Sequence, residues 1–367
     1  MKAGWVARQF DDVLEIRNGK NQREVESKDG EYPIFGSAGN VMGYATSYIC
    51  EAGTTIIGRK GNINTPIFSE TKFWNVDTAF GLTAKPSLDS KFLYYYCLSF
   101  DFGALNRGTT IPSLVKSELL RISIPLPPLA EQKRIVTLLD EAFAHIATAK
   151  ANAEQNLQNA RALFDSHLQS VFAQHGSMWR LAKLGDLTKL ARGHNPPKHK
   201  FSYISKPGYV RFYQIRDGSS DDYVVYVPDT PQLHKVGKDD IMMVAYRHVG
   251  RVFRGVEGAF NVALCKISNA RRDLLDDEYL FQIMPSQFVK GELLKRSERS
   301  LIPSMSIEHL REIQIPLPPL KEQQRVVETI TALSTQTQRL ESIYQQKLSA
   351  LDALKKSLLH QAFSGQL

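Results

Sequence analysis

The feature that most constrains this chain is a thirteen-residue stretch that occurs twice. Ile124-Pro125-Leu126-Pro127-Pro128-Leu129-Ala130-Glu131-Gln132-Lys133-Arg134-Ile135-Val136 returns as Ile315-Pro316-Leu317-Pro318-Pro319-Leu320-Lys321-Glu322-Gln323-Gln324-Arg325-Val326-Val327, 191 positions on. An Ile-Pro-Ser precedes each copy at the same offset, Ile111-Pro112-Ser113 and Ile302-Pro303-Ser304. About forty residues without Gly or Pro follow each, ending near Phe172 and Phe363. The proline run enforces extended backbone and then fits the first helical turn, where a missing N–H costs nothing. Glu131 and Glu322 sit in that first turn, where the helix dipole favours a carboxylate. Each stretch is therefore a hinge into a long helix, and a matched pair is a duplication.

The rest of the chain repeats as well. Trp5, Val13 and Gly19 recur as Trp179, Leu187 and Gly193, 174 positions on, so the second globular unit is longer by about 17 residues. The expected order is globular unit (1–128), long helix (129–175), globular unit (176–319), long helix (320–367). A length of 367 residues suffices for cores of that size, and 43% hydrophobic with 23% charged content is ordinary for a globular protein.

Both long segments carry a heptad seam. In the first it runs Leu139, Ala142, Ile146, Ala149, Ala153, Asn156, Ala160 and Leu163. In the second it runs Ile330, Leu333, Thr337, Leu340, Tyr344, Lys347, Leu351 and Leu354. Each helix is expected to be on the order of 60 Å long. The first must carry the chain from one globular unit to the other, and a two-fold-related second helix returns. The expected pair is antiparallel, with a globular unit at each end: a spacer.

Within the globular units the same device appears twice. Gly53-Thr54-Thr55-Ile56-Ile57-Gly58 reads as a buried strand running into Arg59-Lys60-Gly61-Asn62-Ile63-Asn64. Asp239 to Ala245 reads as a strand running into Tyr246-Arg247-His248-Val249-Gly250-Arg251. Cations and amides beside glycines at a strand end suit a loop approaching phosphates and base edges, although a solvated hairpin tip has the same composition. The second unit adds Lys198 and Lys200 in a basic opening segment. It also adds Tyr209 to Asp217, including Arg211, expected to alternate as a half-buried strand with Gln214 and Arg216 on one face. The aromatic-rich stretch Phe92 to Phe102 is expected to be helix core. A net charge of +8, from 46 Lys and Arg against 38 Asp and Glu, permits a nucleic-acid partner without demanding one.

Catalytic motifs are broken or missing. Asn195-Pro196-Pro197-Lys198 lacks the aromatic that an Asn-Pro-Pro-aromatic methylase motif stacks on a flipped base. Pro228-Asp229 is not followed by an acid-x-Lys partner for a Mg²⁺-dependent nuclease. There is no Walker A sequence. Cys50, Cys97 and Cys265 are isolated, suggesting neither zinc site nor disulfide. Met1 to Asp12 has no apolar leader core and no run reaches membrane-spanning length, so a cytoplasmic, non-catalytic chain with no membrane contact is expected.

The doubled Pro-Leu-Pro-Pro-Leu-x-Glu-Gln hinge, the long helix after each copy, the Trp…Gly openings, Tyr32-Pro33-Ile34-Phe35-Gly36 and Arg59-Lys60-Gly61 together resemble the specificity (S) subunit of type I restriction–modification enzymes. The resemblance covers essentially the whole chain. It implies two α/β (α+β) target-recognition domains joined by two long antiparallel coiled-coil helices, an internal repeat with pseudo-two-fold symmetry. Each domain reads one half of a split target in double-stranded DNA. The resemblance also implies two docked adenine-methylating (M) subunits and, through the complex, restriction (R) subunits. AdoMet, ATP and Mg²⁺ then belong to those partners, with no cofactor or metal in this chain. On that reading DNA is met by Arg59, Lys60, Asn62 and Asn64 in the first unit. In the second it is met by Lys198, Lys200, Arg211, Gln214, Arg216, Tyr246, Arg247, His248 and Arg251. Partners dock at the hinges, through Pro127, Pro128, Glu131, Arg134, Pro318, Pro319, Glu322 and Arg325. A specificity module for another effector, such as a stand-alone methyltransferase, or a coiled-coil scaffold that binds only protein, are the alternatives.

Overall fold

A computed structural model describes residues 4–37, 39–175, 179–247, 249–297 and 305–367. Gly176, His248 and the second Ile-Pro-Ser (Ile302-Pro303-Ser304) lie outside the described residues. The chain divides into two compact units, Met1–Gln155 with Tyr344–Leu367, and Asn156–Ile343.

The first unit opens with β1 (Val6–Gln9), α1 (Phe10–Val13) and β2 (Leu14–Asn18). Strands β3 (Tyr32–Phe35), β4 (Val41–Ala45), β5 (Thr54–Gly58), β6 (Ile67–Ser69), β7 (Trp74–Asn75) and β8 (Ala79–Ala84) follow. The unit continues with α2 (Ser90–Ser99), α3 (Lys116–Leu119), β9 (Ser123–Leu126) and the long α4 (Leu129–His175), of which the part to Gln155 belongs to this unit. An antiparallel sheet has the order β2-β8-β5-β6, and a smaller sheet β4-β3-β7 has β3 and β7 parallel. The Thr-Thr-Ile-Ile run makes β5 wholly buried, as its β-branched side chains suit a strand covered on both faces. Asp89 caps α2 by accepting from the amides of Lys91 and Phe92 at 2.9 and 3.0 Å. Phe92, Tyr95 and Tyr96 then enter the core, so the aromatic stretch is helix core as expected.

The second unit builds the same order of elements. It has β10 (Arg180–Lys183), α5 (Leu184–Leu187), β11 (Thr188–Arg192), β12 (Tyr209–Tyr213), β13 (Tyr226–Pro228), β14 (Lys235–Val236), β15 (Ile241–Val244), β16 (Val252–Phe253), β17 (Gly258–Phe260) and β18 (Leu264–Asn269). Then come α6 (Asp277–Ile283), α7 (Gln287–Ser297), α8 (Ile307–Arg311), β19 (Gln314–Leu317) and the long α9 (Leu320–Ser364), which passes into the first unit at Tyr344. The sheet β11-β18-β15-β16 matches β2-β8-β5-β6. The sheet β13-β12-β17-β14 matches β4-β3-β7 with one strand added, again around a parallel pair, β12 with β17. The repeated residues do the same work in both units. Val13 and Leu187 are buried, and a Cβ on Gly19 or Gly193 would lie 1.8 or 2.1 Å from a backbone oxygen, of Val76 or Asn261. Only glycine allows that approach.

Each hinge is more than an extended linker. β1 pairs antiparallel with β9, Val6 opposite Leu126, and β10 pairs with β19, Arg180 opposite Leu317. The strand that opens each globular unit therefore holds the segment that leaves it. Pairing between elements over a hundred residues apart left no local trace in the sequence.

The long helices run antiparallel within each unit. In the first, Arg134 donates to the carbonyl of Leu367 at 2.9 Å, Lys355 lies 4.9 Å over the Phe143 ring, and Lys150 pairs with Asp352 at 2.7 Å. In the second, Arg161 pairs with Glu341 at 2.6 Å, and Leu168 and Phe172 share a core cluster with Val326 and Ile330. The heptad seam needs correction. Asn156, Leu163, Leu340, Lys347 and Leu354 are exposed, while Leu157, Ala160 and Leu168 are buried and Phe164, Leu348 and Lys355 half-buried. A helix of 3.6 residues per turn drifts from a strict 3.5 repeat, so the contact stripe steps by four where the heptad expects three. Among the described residues, no helix is long and apolar enough to cross a membrane.

Candidate nucleic-acid interface

In the first unit the loop between β5 and β6 is rigidly built. A Cβ on Gly58 would sit 1.9 Å from the carbonyl oxygen of Asn62, and Gly61 has φ +83°. The backbone N–H of Arg59 donates to Thr78 O at 2.7 Å, that of Gly61 to Pro112 O at 2.9 Å, and that of Leu114 to Arg59 O at 2.9 Å. The Arg59 guanidinium rests 5.8 Å from the Phe80 ring centroid and donates to the Asp77 carbonyl at 3.4 Å. Lys60 and Asn62 are exposed, the side-chain Oδ1 of Asn62 accepting from Thr65 Oγ1 at 2.8 Å. Asn64 is tied to the scaffold: its amide donates to Asp101 at 2.7 Å, and its carbonyl accepts from the Phe102 N–H at 2.8 Å.

The segment bracing this loop has no periodicity in the sequence that marks it. Asn106 Oδ1 accepts from the backbone amides of Gly108 and Ser113, both at 2.9 Å, closing a tight exposed turn. Arg107, beside it, makes a bidentate pair with Glu118. The clue was an Arg-Gly-Thr-Thr run immediately before Ile111-Pro112-Ser113, which served only as a marker of the repeat.

In the second unit the loop from Ala245 to Arg251 joins β15 to β16, the same place in the matching sheet. Arg247 adopts φ +65°, a left-handed conformation that costs a non-glycine residue on the order of 1 kcal/mol, and its guanidinium lies 5.8 Å from the Tyr246 ring. The backbone closes through Val244 N–H to Arg251 O at 2.8 Å and Gly250 N–H to Val244 O at 3.1 Å.

Arg211, Arg216 and Arg251 gather around the turn from Gly218 to Tyr223. Arg251 donates to Gly218 O at 2.5 Å and to Ser219 Oγ at 2.7 Å. Arg211 pairs with Asp221 and lies 4.5 Å from the Tyr213 ring, and Arg216 lies 5.1 Å from the Tyr223 ring. The Arg211 hydrogen bond holds the Asp221 carboxyl below its ordinary range, whereas burial pushes Asp217 upward.

The alternating strand from Tyr209 to Asp217 needs correction. β12 stops at Tyr213, and Phe212 and Tyr213 are both buried. They enter different clusters, Phe212 with Val225 and Val227, Tyr213 with Val244 and Phe260, so both faces are covered and alternation fails. Gln214 leaves the strand to cap the 3₁₀ turn Ile215–Gly218, its N–H donating to Asp217 Oδ2 at 2.6 Å. Lys198 and Lys200 are exposed on a short 3₁₀ turn after Pro197.

At the hinges Pro127 and Pro318 are buried, and Pro128 and Pro319 exposed. Arg134 pairs with Glu131 at 2.7 Å and Arg325 with Glu322 at 3.4 Å, one helical turn apart in each case. The residue each pair flanks is a buried glutamine. Gln132 Nε2 donates to Pro127 O at 2.8 Å and Ser87 O at 3.1 Å, and its Oε1 accepts from the Asp89 N–H at 2.7 Å. Gln323 repeats this with Pro318 O and Leu274 O, both at 2.8 Å, and the Asp276 N–H at 2.8 Å. Each glutamine locks the start of a long helix to its globular body. Its presence in both hinge copies was the available signal.

Among the described residues, no group of three or more His, Cys, Asp or Glu could hold a metal ion. Burial pushes the thiols up, Cys50 to about 11 and Cys265 to about 12, which suits packing rather than nucleophilic chemistry.

Comparisons with known proteins bear on this arrangement. A family described as type I restriction modification DNA specificity domain matches twice, over residues 2–159 and 176–349. The EcoDI type I restriction enzyme specificity subunit of Escherichia coli is 23% identical over 99% of this chain and 88% of its own length. A putative type I restriction enzyme specificity subunit of Haemophilus influenzae is 24% identical over 89% of this chain and 87% of its own. A chain from a structural study of assembly and conformational transition in a type I R-M system superposes with a TM-score of 0.82 at 19% identity, covering 100% of this chain and 99% of that one. The HsdS subunit from Thermoanaerobacter tengcongensis superposes with a TM-score of 0.61 at 19% identity, covering 100% of this chain and 98% of that one.

Proposed function

Since the chain belongs to the type I restriction modification DNA specificity domain family, we propose that it is the non-catalytic subunit that reads a bipartite DNA target for such a complex. Residues 1–128 and 176–319 act as target-recognition domains, one per half-site, and 129–175 and 320–367 as the helical spacer between them. The observation that carries this reading is the loop after β5 and its counterpart after β15. Both join corresponding strands of sheets with the same order, and each presents an arginine, Arg59 or Arg247. Two copies of one scaffold with different loops suit two readings of one duplex. Phosphate contacts from Lys60, Lys198 and Lys200 position the chain, and base-edge contacts from the arginines specify sequence.

The hinge faces around Pro128, Glu131 and Arg134, and around Pro319, Glu322 and Arg325, dock two methyltransferase subunits, one per repeat. Restriction subunits join through the complex. AdoMet, ATP and Mg²⁺ are handled by those partners, inside the cytoplasm.

Arg59→Ala tests the assignment. A bidentate Arg–guanine contact contributes about 1–3 kcal/mol of discrimination, so one half-site should weaken or relax while the other is unchanged. Binding is measured against duplexes randomised in one half at a time, with Arg59→Lys separating charge from fork geometry. An equal response of both halves, or of neither, rejects it.

A further inference from the structure

We propose that Tyr203 and Ile204 form an apolar wedge that inserts into the DNA half-site read by the second unit, unstacking a base step there; this rests on the DNA-reading function above. Tyr203 is 75% exposed and Ile204 71% exposed, adjacent in sequence. Two adjacent large side chains exposed to that degree form a contiguous apolar tip, the kind of surface that marks a contact site. They are presented by a fixed turn. The N–H of buried Ser202 donates to Tyr226 O at 2.9 Å and Tyr226 N–H returns to Ser202 O at 2.7 Å, while Ser202 Oγ accepts from the Ile204 N–H at 3.3 Å. Phe201, just before, anchors inward, its ring 5.5 Å from that of Phe212.

Charge selects the partner. From Lys198 to Lys206 the chain carries three lysines and a histidine and no carboxylate. A polyanion with an apolar interior fits such a surface. Side chains of this kind enter between base steps while lysines hold the flanking phosphates.

The duplication supplies an internal control. In the first unit Ser27 occupies the same turn, its N–H donating to Tyr44 O at 2.9 Å and its Oγ accepting from the Asp29 N–H at 3.2 Å. The residues at the tip there are Lys28 and Asp29, with Glu24, Glu26 and Glu31 close by in sequence. Nothing at that tip can intercalate, so the distortion belongs to one half-site.

The test uses the full chain with its methyltransferase partners and a duplex carrying its methylated target, with 2-aminopurine placed at successive steps in each half. The expected result, at steps that do not flank the methylated adenines, is a several-fold rise in fluorescence in or beside the half-site weakened by Arg247→Ala, and none in the other. Tyr203→Ala with Ile204→Ala should abolish that rise and weaken binding about tenfold, as loss of a base stack does, without changing the salt dependence. Tyr203→Phe should retain it. Lys200→Ala should instead reduce the salt slope by about one. Unchanged affinity and fluorescence in the double variant overturn the proposal. So does a rise in both halves at steps that do not flank the methylated adenines, where base flipping by the partners gives its own signal, or a double variant that binds DNA normally but loses a partner subunit in native mass spectrometry. Failure of the broader reading would look different: a continuous methylated motif, with no separate halves to compare.

Discussion

Gln132→Leu should destabilise the first unit by about 3 kcal/mol or more, and Gln323→Leu the second by a similar amount. Each glutamine is fully buried and makes three hydrogen bonds, so its loss strips the partner from one buried carbonyl, of Pro127 or Pro318, and from one amide and one carbonyl that are part-buried. A buried orphaned polar group costs about 1–3 kcal/mol. Leucine fills the volume, which removes a cavity as the explanation. The check is thermal unfolding of each variant beside limited proteolysis, which should cut near the affected hinge and spare the other. Gln132→Glu should behave as badly, because a carboxylate cannot donate to Ser87 O or Pro127 O. Transitions within 1 °C of the parent would show that the glutamines do not lock the hinges.

These glutamines mark where the sequence stopped being informative. The proline hinge was legible because proline acts on its own φ and on the next few residues. β5 was legible because Thr54-Thr55-Ile56-Ile57 is a local composition signal, and the repeat because both copies can be laid side by side. Gln132 binds groups more than forty positions away, and β9 finds β1 over a hundred residues back. Neither relation leaves a periodicity. The second unit's β12 departs from alternation because it is covered on both faces, and Gln214 leaves the strand because capping a 3₁₀ turn competes successfully with it. The two strand-end loops were legible as devices, while their bracing segment, including Arg107, lay fifty residues downstream. The seam of the long helices followed the sequence until 3.6-residue drift moved it from Asn156 to Leu157.

The largest functional effect is expected from lengthening the helices. Four residues inserted in each, near Asn156 and Lys347, add ~6 Å of rise and about 40° of rotation. A B-DNA base-pair step contributes ~3.4 Å and about 34°. The altered protein should select a spacer one or two base pairs longer, with both half-site sequences unchanged. Asn156 and Lys347 are exposed, so the insertion points themselves lie off the buried stripe. Four residues still shift that stripe by a stutter, and some loss of stability accompanies the change. Sequencing the methylome of a host carrying the insertion variant reads out the spacer. An active variant with the parental spacer would mean the helices do not set the distance.

The claim that two units read two half-sites is tested most directly by sequencing the methylome of a host with and without this gene. The expected result is a methylated adenine in each of two short specified blocks, separated by a fixed number of unspecified base pairs, with the motif absent when the gene is deleted. A continuous motif, or a bipartite one that persists without the gene, would contradict it.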